Sequence, residues 1–396
     1  MIPLNPFDGR ARSNPYPVYQ YMRTVEPVHR SPIGYWVLTR YDDCKEVLED
    51  PQRWSHDADR LLEPQLRPGD PVDPLVRVIR SSVAFSDATA HRRHRRALET
   101  ALSPAVRAIP ARATETADRL VDLMLERDGR ADLMTAYSAA LPLSLLGEIV
   151  GLPAGDLRQV HHWGRELAAG LDPAVQPAGV IRAGSAAMAI VEYMLQQVDG
   201  ARAGTTEGLV ANLVSAKSSK LTTWELIADL TVFLVIGVEA SCALIGNAML
   251  ALLKSPDQLQ KLRRDPALID LALEELVRFD GPIHLTARVA NEDVTVGGAR
   301  VAKGEQALVL LGAANRDPAR FREPDRLDLA REDNAHLGFG AGPHACFAAA
   351  LARSIGKAAI TVLLRRLNRL ELDGEPAWNN NVTLRGLSKL PVAFGA

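Results

Sequence analysis

The stretch Gly338–Ala350 reads GFGAGPHACFAAA, and the fold is decided by how its cysteine is explained. Glycines at 338, 340 and 342 allow positive-φ backbone and let the main chain approach a flat ligand with no Cβ in the way. Cys346 follows within six residues of Gly340, and a helix beginning near Phe347 aims its backbone N–H groups and positive dipole end at the sulfur. Such surroundings favour thiolate over thiol. A thiolate without further protein ligands nearby suits a metal that brings most of its own coordination, as haem iron does. The plainer reading of the same spacing is a buried free cysteine at a helix start.

The rest of the chain sets limits on both readings. Its 396 residues contain no internal repeat and no low-complexity linker, so one fold over 1–396 is expected rather than separate domains. Hydrophobic residues at 47% and charged residues at 24% are those of a soluble globular protein, and an aromatic share of 5% beside abundant Ala and Leu favours helix. A formal charge of -2 gives no bulk attraction to nucleic acid or an anionic membrane. Cys44, Cys242 and Cys346 are scattered and odd in number, which argues for a reducing compartment and against a disulfide framework or a four-cysteine zinc site. The start has no apolar signal core, and Pro3, Pro6 and Pro15 break any long helix there, so a cytoplasmic protein is expected. The most apolar segment, Leu230–Leu253, carries Glu239 and Asn247 and reads as a buried core helix rather than a membrane span.

Periodicity orders the remaining segments. Gly34–Asp43 is strand-like, and a helix follows that Pro51 stops. Ser55–Ser86 is a polar, proline-rich excursion of the kind that builds binding sites. From His91 to Leu253 the pattern is helical, with interruptions expected at Pro104, Pro110, Pro153, Pro173, Pro177 and near Gly204. VTVGGARVAKGEQALVLLGAA changes to period two with a turn at Gly297-Gly298, which predicts a hairpin and a further short strand. A meander, NRDPARFREPDRLDLARED, leads into the cysteine loop and a last long helix, and LRGLSKLPVAF closes the chain as strand.

The loop FGAGPHAC resembles the haem-ligand loop of the cytochrome P450 haem-thiolate monooxygenases, Phe-Gly-x-Gly-x-His-x-Cys-x-Gly. Phe339, Gly340, Gly342, His344 and Cys346 match, while Ala348 stands where the last glycine is usual. Glu275 and Arg278 match the family's Glu-x-x-Arg and share a helix face at i, i+3, and Arg326 stands where the meander supplies a second arginine to that structural network. The resemblance implies a mainly α, large triangular cytochrome P450 fold with a minor β region, and a haem b (iron protoporphyrin IX) whose iron takes Cys346 as axial thiolate. It also implies propionate contacts from His91, Arg95, Arg288 and His344. Read without it, the HRRHRR run is a solvated basic face. Arg92, Arg93 and Arg96 on that run are expected to help dock an acidic electron donor.

Ile236–Ser241 resembles the family's central-helix motif, in which glycine is followed by x, an acid and usually two threonines. Gly237 is expected to open a groove for dioxygen and water, and Glu239 places a carboxylate in an apolar helix, a position otherwise read as a buried acid satisfied by a neighbour. Cleaving dioxygen consumes two protons, and Ala240 lacks the hydroxyl that normally organises them. Ser241, about 100° further round the helix, is expected to face elsewhere. Some macrolide hydroxylases of the family also carry Glu-Ala-Ser here, with a substrate hydroxyl or ordered water filling the gap. By the same analogy Val235, Ile236, Ile283, His284, Leu285 and Leu387 line a substrate pocket roofed by the loop before Ser86 and by the segment from Gly170 to Gly184. The implied function is hydroxylation or epoxidation of a hydroxyl-bearing, macrolide- or polyketide-like natural product, using dioxygen and electrons from a ferredoxin and its NAD(P)H-dependent reductase. Phenol or aryl coupling of a peptide or aromatic product is the alternative activity. A non-catalytic helical binding module would have to keep the cysteine loop by chance.

Overall fold

The computed structural model describes residues 13–32, 34–57, 61, 73–172, 175–216 and 220–396. Pro3 and Pro6, the parts of the Ser55–Ser86 excursion at 58–60 and 62–72, and residues 173–174 of the expected roof lie outside the described residues. Along the chain the helices are α1 (Tyr16–Val25), α2 (Tyr41–Glu49), α3 (Asp73–Arg80), α4 (Ala88–Leu125), α5 (Ala140–Val150), α6 (Leu157–Gly170), α7 (Pro177–Arg202), α8 (Gly208–Ser215), α9 (Thr223–Leu253), α10 (Pro256–Arg264), α11 (Ile269–Asp280), α12 (Leu311–Ala314) and α13 (Ala349–Arg366). Their residues fall into two compact units: unit 1 takes Met1–Ser55, Ala113–Leu141 and Ala240–Ala396, and unit 2 takes His56–Arg112 and Pro142–Glu239. The mainly α architecture expected from composition is thus present, with strand as a minor partner.

Unit 1 holds a five-stranded sheet. Strands β1 (Val28–Arg30), β2 (Trp36–Leu38) and β3 (Trp54–Ser55) come early; β4 (Arg130–Asp132) pairs elsewhere; β5 (Thr286–Ala290), β6 (Val294–Val296), β7 (Ala299–Val301) and β8 (Gln306–Val309) follow α11. The sheet order is β1-β2-β8-β5-β3. β2 and β8 run parallel with Val37 opposite Leu308, and β5 runs antiparallel to β8 with Arg288 opposite Ala307. β6 and β7 form the expected hairpin, and Gly297 and Gly298 at its turn have φ of +55° and +83°, which side chains disfavour. Leu38, Tyr41, Cys44, Val47, Val309 and Phe321 pack one buried cluster between sheet and α2, each large apolar side chain contributing about 1.5–3 kcal/mol.

The helix α4 corrects the expected interruptions at Pro104 and Pro110, since it runs through both. Each proline removes only one ladder bond. Beyond them Ala113, Ala117, Val121 and Met124, at 0% exposure, keep a continuous buried stripe at helical spacing that sustains the helix. The helix α9 is long and apolar enough to cross a membrane, and 67% of its most apolar window is buried, as in a core helix. Its Asn247 side chain donates to the Asp280 and Arg385 carbonyl oxygens at 3.1 and 3.0 Å.

The acid of the Glu-x-x-Arg pair accepts five hydrogen bonds among the described residues. Glu275 and Arg278 are each 0% exposed at the side chain and form a fork–fork pair at 2.7 and 2.8 Å. Arg278 Nη1 also donates to the Asn315 and Pro324 carbonyl oxygens. The second arginine on Glu275 is Arg331, at 3.0 Å, joined by Asn334 Nδ2 and the Asp328 N–H. This corrects the expectation for Arg326, whose exposed side chain pairs with Glu323 and which contributes to the network only its carbonyl oxygen. The meander turns back between 326 and 331, so the later arginine is the one that reaches the acid.

In unit 2 the HRRHRR run of α4 faces inward as much as outward. His94, 2% exposed, lies between two carboxylates of α9: Nδ1 is 2.7 Å from Asp229 and Nε2 is 3.2 Å from Glu225. Asp229 also accepts the Val83 N–H at 2.6 Å. Arg93 forks onto Glu225 and donates to the Lys220 carbonyl oxygen. That corrects its expected place in a docking patch, because its guanidinium is already committed inside the unit; Arg92 and Arg96 are exposed.

Two predictions follow from these networks. Arg331→Ala strips a donor from a buried acid and is expected to cost about 1–3 kcal/mol in urea unfolding, whereas Arg326→Ala stays within about 0.5 kcal/mol; equal losses would return Arg326 to the acid. Burial alone would lower the His94 imidazole, but the hydrogen bonds and charges of Asp229 and Glu225 outweigh it and its pKa stands above the ordinary histidine value. Its stabilisation is therefore complete below the unfolded pKa of about 6.5 and is lost as pH rises through the folded value. Melting temperature should fall over that upper range, and His94→Gln should flatten the fall.

Candidate functional site

The cysteine loop is built by backbone geometry within unit 1. Gly340 and Gly342 have φ of +73° and +67°, the left-handed region that only glycine enters without strain. A Cβ on Gly342 would also fall onto the Leu48 carbonyl oxygen at the end of α2. The Gly340 N–H donates to the Leu337 carbonyl oxygen at 2.8 Å, and the Cys346 N–H reaches back to the Phe339 carbonyl oxygen at 2.8 Å. A short 3-10 turn, Gly342–His344, lies between them. The Cys346 carbonyl oxygen accepts the Ala349 N–H at 3.3 Å where α13 begins. Of the three cysteines, Cys44 is buried, with its thiol pushed up by burial, whereas Cys346 is exposed at the N-terminal end of a helix. Phe339, Gly340, Gly342, His344 and Cys346 thus belong to one folded loop.

Three side chains that the sequence did not single out fasten this loop. Arg353 of α13 forks onto Glu274 of α11 at 2.7 and 2.8 Å, and its guanidinium lies 4.3 Å from the centroid of Phe339. His336 Nε2 is 3.1 Å from Glu274, and its Nδ1 accepts the Gly338 N–H at 3.1 Å, which fixes the tautomer with the proton on Nε2. Burial would raise the Glu274 carboxyl, but Arg353 and His336 outweigh it and hold it at about 2. The Arg353 pKa is raised, chiefly by its hydrogen bond to Glu274, with a further contribution from the negative field of Cys346. Two consecutive glutamates on α11, pointing about 100° apart, were the signal available in the sequence: each had to find its own cation.

The helix α9 is buried from Leu226 to Val235, then Ile236, Gly237, Glu239 and Ala240 are half-buried, while Val238 and Ser241 are buried. Ala240 and Ser241 therefore face different ways, as expected. The side of Gly237 on which a Cβ would stand is filled by Leu146 of α5, 2.9 Å from that point. Its missing side chain lets α5 pack closely against α9 at this point. Glu239 Oε1 is 3.1 Å from Nε2 of His161 on α6. Sequence reasoning missed this histidine, which lies 78 residues away in a helix with no motif of its own.

The other expected site residues take these places. His91 is 5% exposed on α4 of unit 2, and Arg95, one turn later, pairs with Glu99 at 2.8 Å. Arg288, 4% exposed on β5 of unit 1, donates to the Ala287 carbonyl oxygen and to Thr286 Oγ1. Val235, Leu285 and Leu387 are buried and Ile283 is half-buried. His284 is corrected as a pocket residue. It is 2% exposed, its Nδ1 is 3.2 Å from the Tyr19 hydroxyl, its Nε2 is 3.6 Å from Asp280, and it packs against Gly312. Its ring serves a buried polar cluster, in which Arg385 and His284 hold the Asp280 carboxyl low against its own burial.

This donor set fits haem. Among the described residues no group of three or more His, Cys, Asp or Glu could hold a metal ion, so the exposed Cys346 sulfur suits iron already held by a macrocycle. The comparisons agree. Residues 266–393 match the family model described as Cytochrome P450. The chain is 34% identical to cytochrome P450 monooxygenase PikC of Streptomyces venezuelae, over 96% of this chain and 91% of that protein. It is 30% identical to the polyketide biosynthesis cytochrome P450 PksS of Bacillus subtilis, over 99% and 98%. A solved structure of P450BioI in complex with acyl carrier protein ligated to hexadec-9Z-enoic acid superposes with a TM-score of 0.91 at 30% identity, over 98% of this chain and 100% of that one. A backbone-closed cysteine loop, a buried Glu-x-x-Arg pair and near full-length similarity lead to one conclusion: the chain belongs to the cytochrome P450 family, whose members are haem-thiolate monooxygenases.

Proposed function

We propose that this monooxygenase inserts oxygen, as hydroxyl or epoxide, into a hydroxyl-bearing polyketide- or macrolide-like compound. The observation that carries the activity is the exposed Cys346 at the start of α13, on a loop whose main chain is closed by backbone hydrogen bonds and two left-handed glycines. Cys346 would hold the haem iron, and His91, Arg95, Arg288 and His344 would meet its propionates. When bound, the haem supplies dioxygen activation, which thiolate donation promotes. The N-terminal end of α13 and the positive charge of Arg353 are surroundings that favour a thiolate over a thiol. Glu239 is the proton-carrying acid of the central-helix motif. Ala240 leaves that relay one hydroxyl short, and a hydroxyl of the substrate, or a water it orders, completes it.

The substrate class rests on this gap together with the similarity to a polyketide biosynthesis enzyme. The chain has no Gly-x-Gly-x-x-Gly fingerprint after a strand and no iron–sulfur cysteine array. A ferredoxin with its NAD(P)H-dependent reductase in the cytoplasm is the proposed source of electrons.

Cys346→Ser should abolish the red-displaced Soret band of the reduced, carbon-monoxide-treated protein; a band that survives removes the ligand assignment. A panel of hydroxylated macrolides, polyketides and aromatic peptides, screened by haem spin-state shift, selects the substrate. Turnover under isotopic dioxygen should then place one labelled oxygen in the product, and unlabelled coupled product would favour the coupling chemistry instead. With a hydroxyl-free analogue, product per NAD(P)H should drop several-fold, and Ala240→Thr should restore it. An analogue that turns over with full coupling in the unmodified enzyme would sink the substrate-assisted relay.

A further inference from the structure

We propose that His161 is the positioning and proton-supplying partner of Glu239, a role that rests on the reading of Glu239 as the proton-carrying acid of the central helix. The geometry is set by packing inside unit 2. Gly164 of α6 lies directly on α9, where a Cβ would stand 3.4 Å from Val235 Cγ2. One turn back along α6 from Gly164 is His161, and one turn on along α9 from Val235 is Glu239. The close approach of the two helices at the glycine therefore delivers the imidazole to the carboxylate, Nε2 to Oε1 at 3.1 Å. Val160 and Leu167, 2% and 1% exposed, keep α6 from rolling. Trp163 adds a contact to Tyr193 of α7, with ring centroids 6.2 Å apart.

Two features separate this pair from an ordinary surface ion pair, which contributes little. Among the described residues Glu239 has no other hydrogen-bond partner, so the acid stands where His161 holds it. The pair is also only part-buried, 21% and 18% exposed, so the ring keeps a route to water while the acid sits in a helix that is buried on either side. An imidazole so placed has one ring nitrogen on the acid and the other free to face water, so it can pass a proton without leaving its position. The transfer conserves protons and electron pairs. Nδ1 of the neutral ring takes a proton from water, the hydroxide left behind is reprotonated from bulk solvent, and the Nε2 proton passes to Glu239 Oε1, its N–H bond pair remaining on nitrogen. Tautomer exchange through water then resets the ring. One proton enters and one leaves for each delivered by Glu239, so the carboxylate does not have to leave its place to collect the next. This lies beyond the relay gap at Ala240, which concerns the other end of the same path.

The test compares His161→Gln, His161→Phe and Glu239→Gln in the haem-loaded enzyme with NADPH, a ferredoxin–reductase pair and dioxygen as the only co-substrate. Glutamine keeps a donor for Glu239 but moves no proton. All three variants are expected to slow NADPH oxidation several-fold and to change its solvent deuterium isotope effect, with the carbon-monoxide spectrum retained. If Glu239→Gln matches the parent, the acid reading itself fails. If Glu239→Gln is impaired while both His161 variants match the parent, only the His161 role fails, and if glutamine alone restores parental behaviour, His161 positions the acid without supplying protons and the relay is overturned. A readout independent of turnover is the imidazole titration of His161 by 15N NMR in the diamagnetic carbon monoxide form. Glu239→Gln should displace that titration. An unmoved titration would show that the two groups do not share protons, and this measurement decides alone should the His161 variants lose haem.

Discussion

A single carboxylate without access to water organises unit 1. Glu275 cannot be solvated at 0% exposure, so every lone pair has to be met by the protein, and it is met from three directions: Arg278 on its own helix, Arg331 and Asn334 from the meander, and the Asp328 N–H. The consequence runs on through Arg278, which donates to the Asn315 carbonyl oxygen, while the Asn315 side chain accepts the Leu337 N–H at 2.7 Å. Leu337 in turn accepts the Gly340 N–H, and Phe339 accepts that of Cys346. The place of the Cys346 main chain is thus tied by a chain of hydrogen bonds to a buried acid. Removing one donor exposes none of these groups to water, which is why the penalty of an unmet partner falls on the whole chain of contacts.

Glu274 does for the face of α11 turned toward α13 what Glu275 does for the meander. Its two partners come from opposite ends of the cysteine loop, the His336 ring before it and the Arg353 guanidinium after it. The loop is therefore clamped at both ends by one carboxylate and held across its middle by the Phe339–Cys346 backbone bond. Adjacent glutamates make this economical, because a step of one residue on a helix turns a side chain about 100° and so directs equal charges to different partners. Arg353 over the Phe339 ring also brings positive charge near Cys346, so the feature that fastens the loop bears on the sulfur's ionisation as well.

The legibility of these features in the sequence follows how local they are. The cysteine loop was readable because its glycines, its histidine and its cysteine act within a few residues, and the hairpin at Gly297-Gly298 for the same reason. Contacts set by tertiary packing were not. In the meander, which has no periodicity, spacing favours Arg326, yet the chain turns before Arg331 and delivers that residue instead. Proline marks at 104 and 110 suggested helix ends, but tertiary burial of the Ala113, Ala117 and Val121 stripe outweighs the lost ladder bonds. His284 lies in a stretch that by analogy faces substrate, and only the position of Tyr19, 265 residues away, shows that its ring turns into a polar core. Gly237 shows the same limit: the absent side chain was legible, whereas the Leu146 methyl that fills its place was not.

The central helix makes that limit bear on function. Read as letters, Glu-Ala-Ser lacks one hydroxyl, and the missing group is sought next to Ala240. Read in space, the acid of the motif has a partner that no letter of the motif announces, brought in by a second helix that packs against Val235 at Gly164. On the proposed reading, proton supply is divided between two ends of one path: an imidazole with access to water feeds Glu239, and a hydroxyl beyond Ala240 receives from it. Such a division places different demands on each end. The outer group has only to exchange protons with solvent and is supplied permanently by the protein, while the inner one need be present only during reaction and can be left to the substrate, so that dioxygen is committed efficiently only when the right compound is in place.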